Sequence, residues 1–552
     1  MKDNNGNTKI FWIIFIALII LHSIPIWVGT YLPIQDIPNH ITIVKILREF
    51  HNPAFNFQDN FDWNLNLFPY QLYYLICYLL SFIFNVFTAN KLFLNLYIIL
   101  FPLSLLYLLS AIDESKRWLS LLSFPLIYND YFLFGFTNHL ISIPLILFGL
   151  GLAISLLNNR DIKKQSDSIA IENAKIKISQ SRAYQHFILL FITNILLYLS
   201  HPLGYGLFYI FLIPILIKFK SRRRELILTV LAISFTIILF IIWIKVKPKA
   251  GNPILIKDWE SLKKASLWFS IGKNVDYLIH FPFITINSKY IISKMLYSAG
   301  LISLIVLGII RLIKQYRQNP RLHLIKSLIK NPFFWNLIIS IFFFFLLPFG
   351  YKIIIWFNLR IAIFIYIFLI ILLNPSFIKN KLSIIILLIT SVLFTYNFSQ
   401  TTLSFNKQLK PFEELITKME PNKKVLPLIA NRQGDTFNIY HNTAEVLNIY
   451  FAPNIHLISY YNFYKGGISP YITFNPLHTH FPIIYKDINW ILNFPIGSEY
   501  KLKQSFQKNK NGDFDYIIIK AVEEIPLDKI SNRYALEEKI DDWYLYIKKN
   551  QL

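Results

Sequence analysis

The sequence over residues 10–31, IFWIIFIALIILHSIPIWVGTY, is followed at residues 33–40 by PIQDIPNH. The first stretch contains no Asp, Glu, Lys or Arg, and a helix of roughly 20 apolar residues is long enough to cross a bilayer. It is longer than the core of a signal peptide and no small-residue cleavage site follows it, so it predicts an uncleaved membrane-spanning helix. The second stretch predicts the polar boundary at which this helix ends.

Apolar runs of similar length continue along the chain to about residue 400. They cover residues 70–88, 90–111, 117–131, 134–157, 184–200, 203–219, 226–246, 293–313, 332–348, 352–373 and 382–397. Because the apolar residues gather in runs and not at amphipathic spacing, they predict a polytopic membrane protein. The formal net charge is +24, but Lys and Arg concentrate in the loops between the runs, so the charge indicates no nucleic-acid partner.

The basic loops predict the orientation of the chain. Lys and Arg cluster in loops at residues 160–164, 218–224, 311–330 and 379–381. Such clusters mark the cytoplasmic side, which places the N-terminus inside and residues 32–69 outside. An odd number of crossings must then follow before residue 113. The run 70–88 is interrupted by tyrosines, so it is predicted to lie on the outer leaflet, leaving eleven spans and an outer C-terminus.

Beyond residue 399 the composition becomes that of a soluble domain. Apolar runs predict strands at residues 425–430, 456–461, 514–521 and 543–548, and a helix at 411–419. The expected fold is an all-α membrane domain of about eleven transmembrane helices at 1–398, with its first outer loop at 32–89, and a small α/β domain at 399–552. The expected location is a bacterial inner membrane, with the N-terminus cytoplasmic and the C-terminal domain extracytoplasmic.

Asp36 and His40 place a carboxylate and an imidazole at the outer boundary of the first helix. They lie four residues apart and share a face if a helix begins at Pro38. One interpretation is that Asp36 only caps this helix, over about residues 38–50, with His40 as a solvated neighbour. The other is that both belong to a functional site.

Further polar groups fall at two other outer turns. Asp130 and His139 lie in the segment 128–139, YNDYFLFGFTNH, and His201 lies in the turn SHPLG. Interfacial polarity could account for the first pair, and a lone histidine at a Pro-Gly hairpin is often structural. Their convergence with Asp36 on one face of the membrane favours a site.

Lys352 and Arg360 flank the outer start of a later apolar run. Arg360 has Trp356 and Phe357 nearby, and an arginine in apolar surroundings needs a counter-charge. Phosphate is one such partner, either on a substrate or on lipid headgroups that the side chain reaches. The sequence has no phosphate-binding Gly-rich loop, dinucleotide fingerprint, serine nucleophile motif or Cys/His metal spacing, so an activated substrate must come from another source.

The layout resembles that of the GT-C superfamily of membrane glycosyltransferases, which includes the protein mannosyltransferase and aminoarabinose transferase families. The matching features are Asp36 within QDIPNH, the run 70–88, the segment YNDYFLFGFTNH, the HPLG turn and Arg360. Members take sugars from polyprenyl-phosphate carriers at the outer face and often carry a soluble outer C-terminal domain.

The resemblance implies that Asp36 is a general base that activates the acceptor, and that transfer inverts the anomeric centre. It also implies that Arg360 or Lys352 pairs with the carrier phosphate. The other candidate substrate-binding residues are His40, Asp130, His139 and His201. The paired acidic residues of the superfamily are absent, since Ile37 follows Asp36 and Asn129 precedes Asp130. No metal ligand is therefore assigned, and dependence on a divalent metal stays open.

The expected partners are a polyprenyl-phosphate sugar donor, membrane lipids and an acceptor that the sequence does not identify. Two other functions remain as alternatives. A transporter or flippase of lipid-linked glycans would share the membrane architecture, although such proteins usually carry ionisable residues near the bilayer midplane. A non-catalytic scaffold, or a glycan polymerase, could use the C-terminal domain to organise assembly at the cell surface.

Overall fold

The computed structural model describes residues 5–158, 169–246, 266–281, 328–351, 354–429, 452–470, 472–473, 480–487, 514–521 and 533–549, with residues 296, 299–300, 302–308, 310 and 314. Within these ranges the α-helices, in chain order, are α1 (Asn5–Trp27), α2 (Ile37–Arg48), α3 (Phe57–Asn60), α4 (Leu72–Leu80), α5 (Val86–Ile112), α6 (Asp130–Phe134), α7 (Thr137–Leu157), α8 (Ile169–Ser200), α9 (Pro202–Lys218), α10 (Arg223–Val246), α11 (Ile271–His280), α12 (Pro332–Leu346), α13 (Ala362–Leu372), α14 (Lys381–Gln408), α15 (Lys410–Lys418) and α16 (Ser459–Lys465).

The strands are β1 (Phe61–Trp63), β2 (Ser266–Leu267), β3 (Gly350–Tyr351), β4 (Ile354–Ile355), β5 (Val425–Ile429), β6 (Ile483–Tyr485), β7 (Tyr516–Lys520), β8 (Tyr534–Ile540) and β9 (Trp543–Lys548). Two 3-10 helices lie at Glu114–Leu126 and Leu359–Ile361.

Several helices are long and apolar enough to cross a membrane, so the chain is a multi-pass membrane protein, as predicted. In the described ranges six helices meet this criterion: α1, α5, α7, the second half of α8, α10, and α14 with its continuation α15. Shorter apolar helices lie at Pro202–Lys218, Pro332–Leu346 and Leu359–Leu372. The predicted count of eleven transmembrane helices is not confirmed.

Two of the predicted spans account for part of this difference. Ten of the 21 residues of the run 293–313 lie outside the described residues. The run 117–131 forms the 3-10 helix Glu114–Leu126, followed by the short α6. At roughly 2 Å per residue, a 3-10 helix of this length rises about 26 Å. It runs beside α1, since Arg117 bonds to Thr8 at one end and the Tyr128 hydroxyl donates to the carbonyl of His22 farther along.

Helix α4 falls within the run 70–88, for which the sequence predicts no crossing. It has nine residues and rises about 14 Å, roughly half of what a bilayer requires. It packs against α2 and α5. This length agrees with the predicted interfacial helix, and the position of α4 relative to a membrane stays a prediction.

Helix α7 is buried along most of its length and occupies the centre of the helical bundle, between α5, α8 and α9. Close helix contact requires small residues at the crossing. Gly204 supplies one, because a Cβ added there would lie 2.4 Å from Oγ of Ser142. Helix α1 packs along α14, and the side chain of Asn406 bonds to both the N–H and the C=O of Tyr31, which fixes the chain as it leaves α1.

The C-terminal region contains a four-stranded sheet in the order β5-β7-β9-β8. β5 and β7 are parallel and the other pairs are antiparallel, so the sheet is mixed. Three predicted strands correspond to β5, β7 and β9, and the predicted helix 411–419 corresponds to α15. The strand predicted at 456–461 is wrong, because this segment leads into α16, while β8 was missed. A short apolar run does not distinguish a strand from a buried helix.

Part of the C-terminal region is packed onto the first loop. Helix α16 lies against α2, and β1 pairs with β6 in antiparallel register. The hydroxyl of Thr42 on α2 donates to the carbonyl of Ser459 at 2.8 Å. These contacts bring C-terminal residues next to the segment that carries Asp36.

Candidate active site

Asp36 precedes α2, but its carboxylate does not cap the helix. The residue has φ −90° and ψ −7°, and its side chain makes no capping hydrogen bond. Capping requires an extended backbone that turns the side chain back onto the first N–H groups. Both described contacts of the carboxylate instead fall on Oδ1: Nε2 of Gln35 lies at 3.4 Å and Nε2 of His456 at 3.5 Å. The capping interpretation is therefore wrong.

His40 is buried on the first turn of α2 and is not the solvated neighbour considered from the sequence. Its Nε2 lies 3.0 Å from the carbonyl oxygen of Gly135 and its Nδ1 lies 2.7 Å from the hydroxyl of Tyr74. A carbonyl only accepts, so Nε2 carries the proton and Nδ1 accepts from Tyr74. Burial lowers the pKa of His40 to about 4, against an opposing effect of Asp36, so the ring is neutral at pH 7.

The segments QDIPNH and YNDYFLFGFTNH are in direct contact. The N–H of Gln35 donates to the carbonyl of Leu133 at 2.9 Å, and the N–H of Asp36 donates to that of Phe134 at 3.2 Å. Gly135 follows with φ +83°, a conformation that glycine adopts without steric cost. A Cβ at this position would lie 3.0 Å from Cβ of Asp36. Only glycine therefore lets the two segments approach this closely.

Arg360 packs against the turn that contains Gly135, with its guanidinium 4.5 Å from the ring centre of Phe136. Its Nη1 is 2.7 Å from Nε2 of His201, while its buried Nε has no hydrogen-bond partner among the described residues. Nδ1 of His201 already accepts the N–H of Leu203 at 3.1 Å. A neutral imidazole has only one nitrogen able to accept, so His201 cannot satisfy both donors. The arrangement leaves hydrogen-bond donors in excess.

Other rings surround this pair. The ring of His139 lies 5.1 Å from that of His201, and this residue is 1% exposed and close to the backbone of Arg360. The ring of Tyr70 lies between those of His201 and His480, at centre-to-centre distances of 4.7 and 4.4 Å, with an edge-to-face geometry toward His201. Burial, and then the charge of Arg360, hold the pKa of His201 well below its usual value.

Two aromatic residues of the site adopt strained backbone conformations. Tyr70 has φ +70° and Trp356 has φ +69°, which is unusual for bulky side chains. Tyr70 is held there because its N–H donates to the carbonyl of Ser200 at the end of α8. Trp356 packs on Phe134 at 4.5 Å between ring centres. Such strain persists where surrounding contacts enforce it, and it concentrates at functional sites.

The structure thus brings together five candidates from different parts of the sequence: Asp36, His40, His139, His201 and Arg360. Asp130 is buried on the first turn of α6 and adjoins the cluster through Tyr131, whose ring lies 5.1 Å from that of His139. Lys352 lies outside the described residues. Within the described ranges, no group of three His, Cys, Asp or Glu side chains could hold a metal ion.

The sequence analysis missed four residues of the site. They are Gln35, Tyr70, His456 and His480. Gln35 adjoins Asp36 and could have been found from that position. His456 and His480 come from the C-terminal region, and single-sequence patterns do not predict which loop they meet.

No protein-family model matches the sequence, and no curated protein matches it. Among solved structures, the chain is similar to the crystal structure of ArnT from Cupriavidus metallidurans in the apo state. The match covers 98% of both chains, with 8% sequence identity and a TM-score of 0.47. This likeness assigns neither a substrate nor a catalytic residue.

Proposed function

We propose that the protein transfers a sugar from a polyprenyl-phosphate-linked donor to an acceptor lipid, glycan or protein at the outer face of the membrane. The observation that carries this proposal is that Asp36 and Arg360 both contact the turn 133–136. The carbonyl of Phe134 holds the backbone of Asp36, and the ring of Phe136 supports the guanidinium of Arg360. A candidate base and a candidate anion-binding group are thus held by one short turn.

Asp36 is suited to act as the general base. Its carboxylate is not used for capping, and its side chain is 12% exposed, so it is shielded from bulk water. In the proposed reaction, Asp36 takes the proton of the acceptor hydroxyl or amine as that atom attacks the anomeric carbon. The bond from this carbon to the phosphate oxygen breaks, and its electron pair leaves with the carrier phosphate. A single displacement of this kind inverts the anomeric configuration.

Arg360 and His201 are suited to bind the departing phosphate. Their facing nitrogens, 2.7 Å apart, include more donors than the histidine can accept. A phosphate that contacts both would accept a guanidinium N–H and an imidazole N–H, which removes this conflict and stabilises the charge that develops on the leaving group. The buried ring of His139 lies beside His201, so a nitrogen of His139 could bond to the same anion. Asp130, His40 and Lys352 stay candidate substrate-binding residues.

The test uses purified full-length protein in lipid nanodiscs with a panel of polyprenyl-phosphate pentoses and hexoses and an extract of bacterial envelope lipids as acceptor. Mass spectrometry should detect free polyprenyl phosphate and a glycosylated product, and NMR of the product should show the anomeric configuration opposite to that of the donor. Retained configuration would contradict a single displacement. Movement of the intact donor across the bilayer without cleavage would favour the transporter.

A further inference from the structure

We infer that Gln35 and His456 are positioning residues that orient the Asp36 carboxylate, so that the C-terminal region completes the base of the active site. This inference rests on the proposed role of Asp36 in the transfer reaction. Both residues direct an Nε2 atom at the same carboxylate oxygen, Oδ1, at 3.4 and 3.5 Å. Oδ2 is then the oxygen directed at the acceptor. Long contacts of this kind commonly shorten when substrate binds.

The amide of Gln35 can face Asp36 in only one orientation. Its Oε1 accepts the N–H of Ala452 at 2.9 Å. Rotating the amide by half a turn would place its NH2 group against this N–H and its oxygen against the carboxylate, so both contacts would become repulsive. The backbone of Ala452 therefore fixes Nε2 of Gln35 toward Oδ1 of Asp36.

His456 is held over the carboxylate by the same C-terminal segment. After His456 the chain enters α16, which is bonded to α2 at Ser459: its carbonyl accepts from Thr42 at 2.8 Å, and its hydroxyl donates to the side-chain oxygen of Asn39. The side chain of His456 is 13% exposed. The segment 452–459 thus contacts residues 35–42 at four points: Ala452 with Gln35, His456 with Asp36, and Ser459 with both Thr42 and Asn39.

The arrangement has a defined consequence for proton transfer. Two N–H donors on Oδ1 stabilise the ionised carboxylate, which is the form that a general base requires. When Oδ2 takes the acceptor proton, both N–H groups can keep their bonds to Oδ1. Among the described residues, the charged or titratable groups that act on Asp36 are His40, Tyr74, His456 and Arg360.

Labelling of Asp36 tests the inference without the transfer reaction. A carbodiimide modifies carboxyl groups, and peptide mass spectrometry can follow the rate at which the Asp36 adduct forms in the full-length protein at one fixed pH. In His456→Leu and Gln35→Leu, labelling of Asp36 should become several-fold faster, because each variant removes a side chain that contacts the carboxylate and holds it in place. His456→Gln keeps an amide donor and should label at close to the wild-type rate. His51→Leu, which changes an exposed histidine after α2, should leave the labelling rate unchanged.

Transfer kinetics provide the second readout. His456→Leu and Gln35→Leu should lower kcat roughly tenfold, with little change in the KM for the donor, because the lost contacts act on the base and not on the phosphate. Equal rates of Asp36 labelling in the wild type and both Leu variants would overturn the inference, even if Asp36→Asn abolishes transfer. Full transfer by Asp36→Asn would instead overturn the proposed function. Thermal melting of each variant identifies any loss of fold. If a Leu variant does not fold, the comparison of His456→Gln with the wild type tests the inference.

Discussion

Gly135→Ala should damage both stability and transfer, because the added methyl group meets Asp36. The residue has φ +83°, and a left-handed conformation costs a non-glycine residue about 1–2 kcal/mol. Its Cβ would lie 3.0 Å from Cβ of Asp36 and 3.2 Å from the Asp36 nitrogen, whereas carbon atoms in contact prefer about 3.5–4.0 Å. Asp36 would have to move by about half an ångström, although its N–H is bonded to the neighbouring Phe134.

The total cost should be about 2 kcal/mol or more in the free energy of unfolding. Displacing the base should also slow transfer roughly tenfold. The assays are thermal melting of the detergent-solubilised protein and kcat with the polyprenyl-phosphate donor. Gly206→Ala is the matched control, because nothing lies within 4 Å of a Cβ at that helical position, and alanine is favoured over glycine there by about 0.5–1 kcal/mol. If Gly135→Ala has the same melting temperature and the same kcat as Gly206→Ala, the close approach of residue 135 to Asp36 is refuted.

Three further predictions follow from the site and the fold. Arg360→Ala should weaken binding of farnesyl phosphate by at least roughly 30-fold, if the contact of Arg360 with phosphate is desolvated. Arg48→Ala, which changes an exposed arginine, should leave this affinity unchanged. Equal affinities of the two variants would exclude Arg360 from the phosphate site. Lowering the pH from 6.5 toward 4 should destabilise the protein through His40, because the unfolded chain binds a proton that the folded state, with a pKa of about 4, does not. His40 contributes about 3 kcal/mol to the change in the free energy of unfolding across that pH window. His40→Gln should therefore flatten the dependence of the melting temperature on pH. An unchanged slope in this variant would contradict the role of His40. In a Cys77→Ala background, single cysteines at positions 67 and 91 should both be labelled from the outer side, and labelling of position 91 only from the cytoplasm would contradict the predicted orientation.

The sequence predicts the six long apolar helices of the described ranges because their length and lack of charge are local properties. It also predicts that the run 70–88 does not cross the membrane, because tyrosines interrupt it, and the nine residues of α4 agree with that prediction. The sequence does not predict that residues 114–126 form a 3-10 helix, because apolar length does not determine hydrogen-bond pattern. The 3-10 helix has nearly the same rise as an α-helix that spans a membrane. The prediction for the run 117–131 was therefore wrong in the type of helix more than in the path of the chain.

The candidate site shows the same division between local and long-range information. Asp36, His139, His201 and Arg360 could be selected because each is a polar residue at the end of an apolar run. The absence of capping by Asp36 could not be predicted, since it depends on backbone angles set by contacts with residues 133–135. The contact with His456 depends on how the C-terminal region packs on α2, and the strand predicted for residues 456–461 would have placed this histidine differently.

The most direct test of the account is transfer by Asp36→Asn. Asparagine keeps the size of the side chain and most of its contacts but cannot take a proton, so the account predicts a loss of at least roughly 10²-fold in kcat with unchanged binding of farnesyl phosphate. Asp62→Asn makes the same chemical change at an exposed position of the first loop, and it should retain full activity. Transfer by Asp36→Asn at the rate of Asp62→Asn would contradict the assignment of Asp36 as the base.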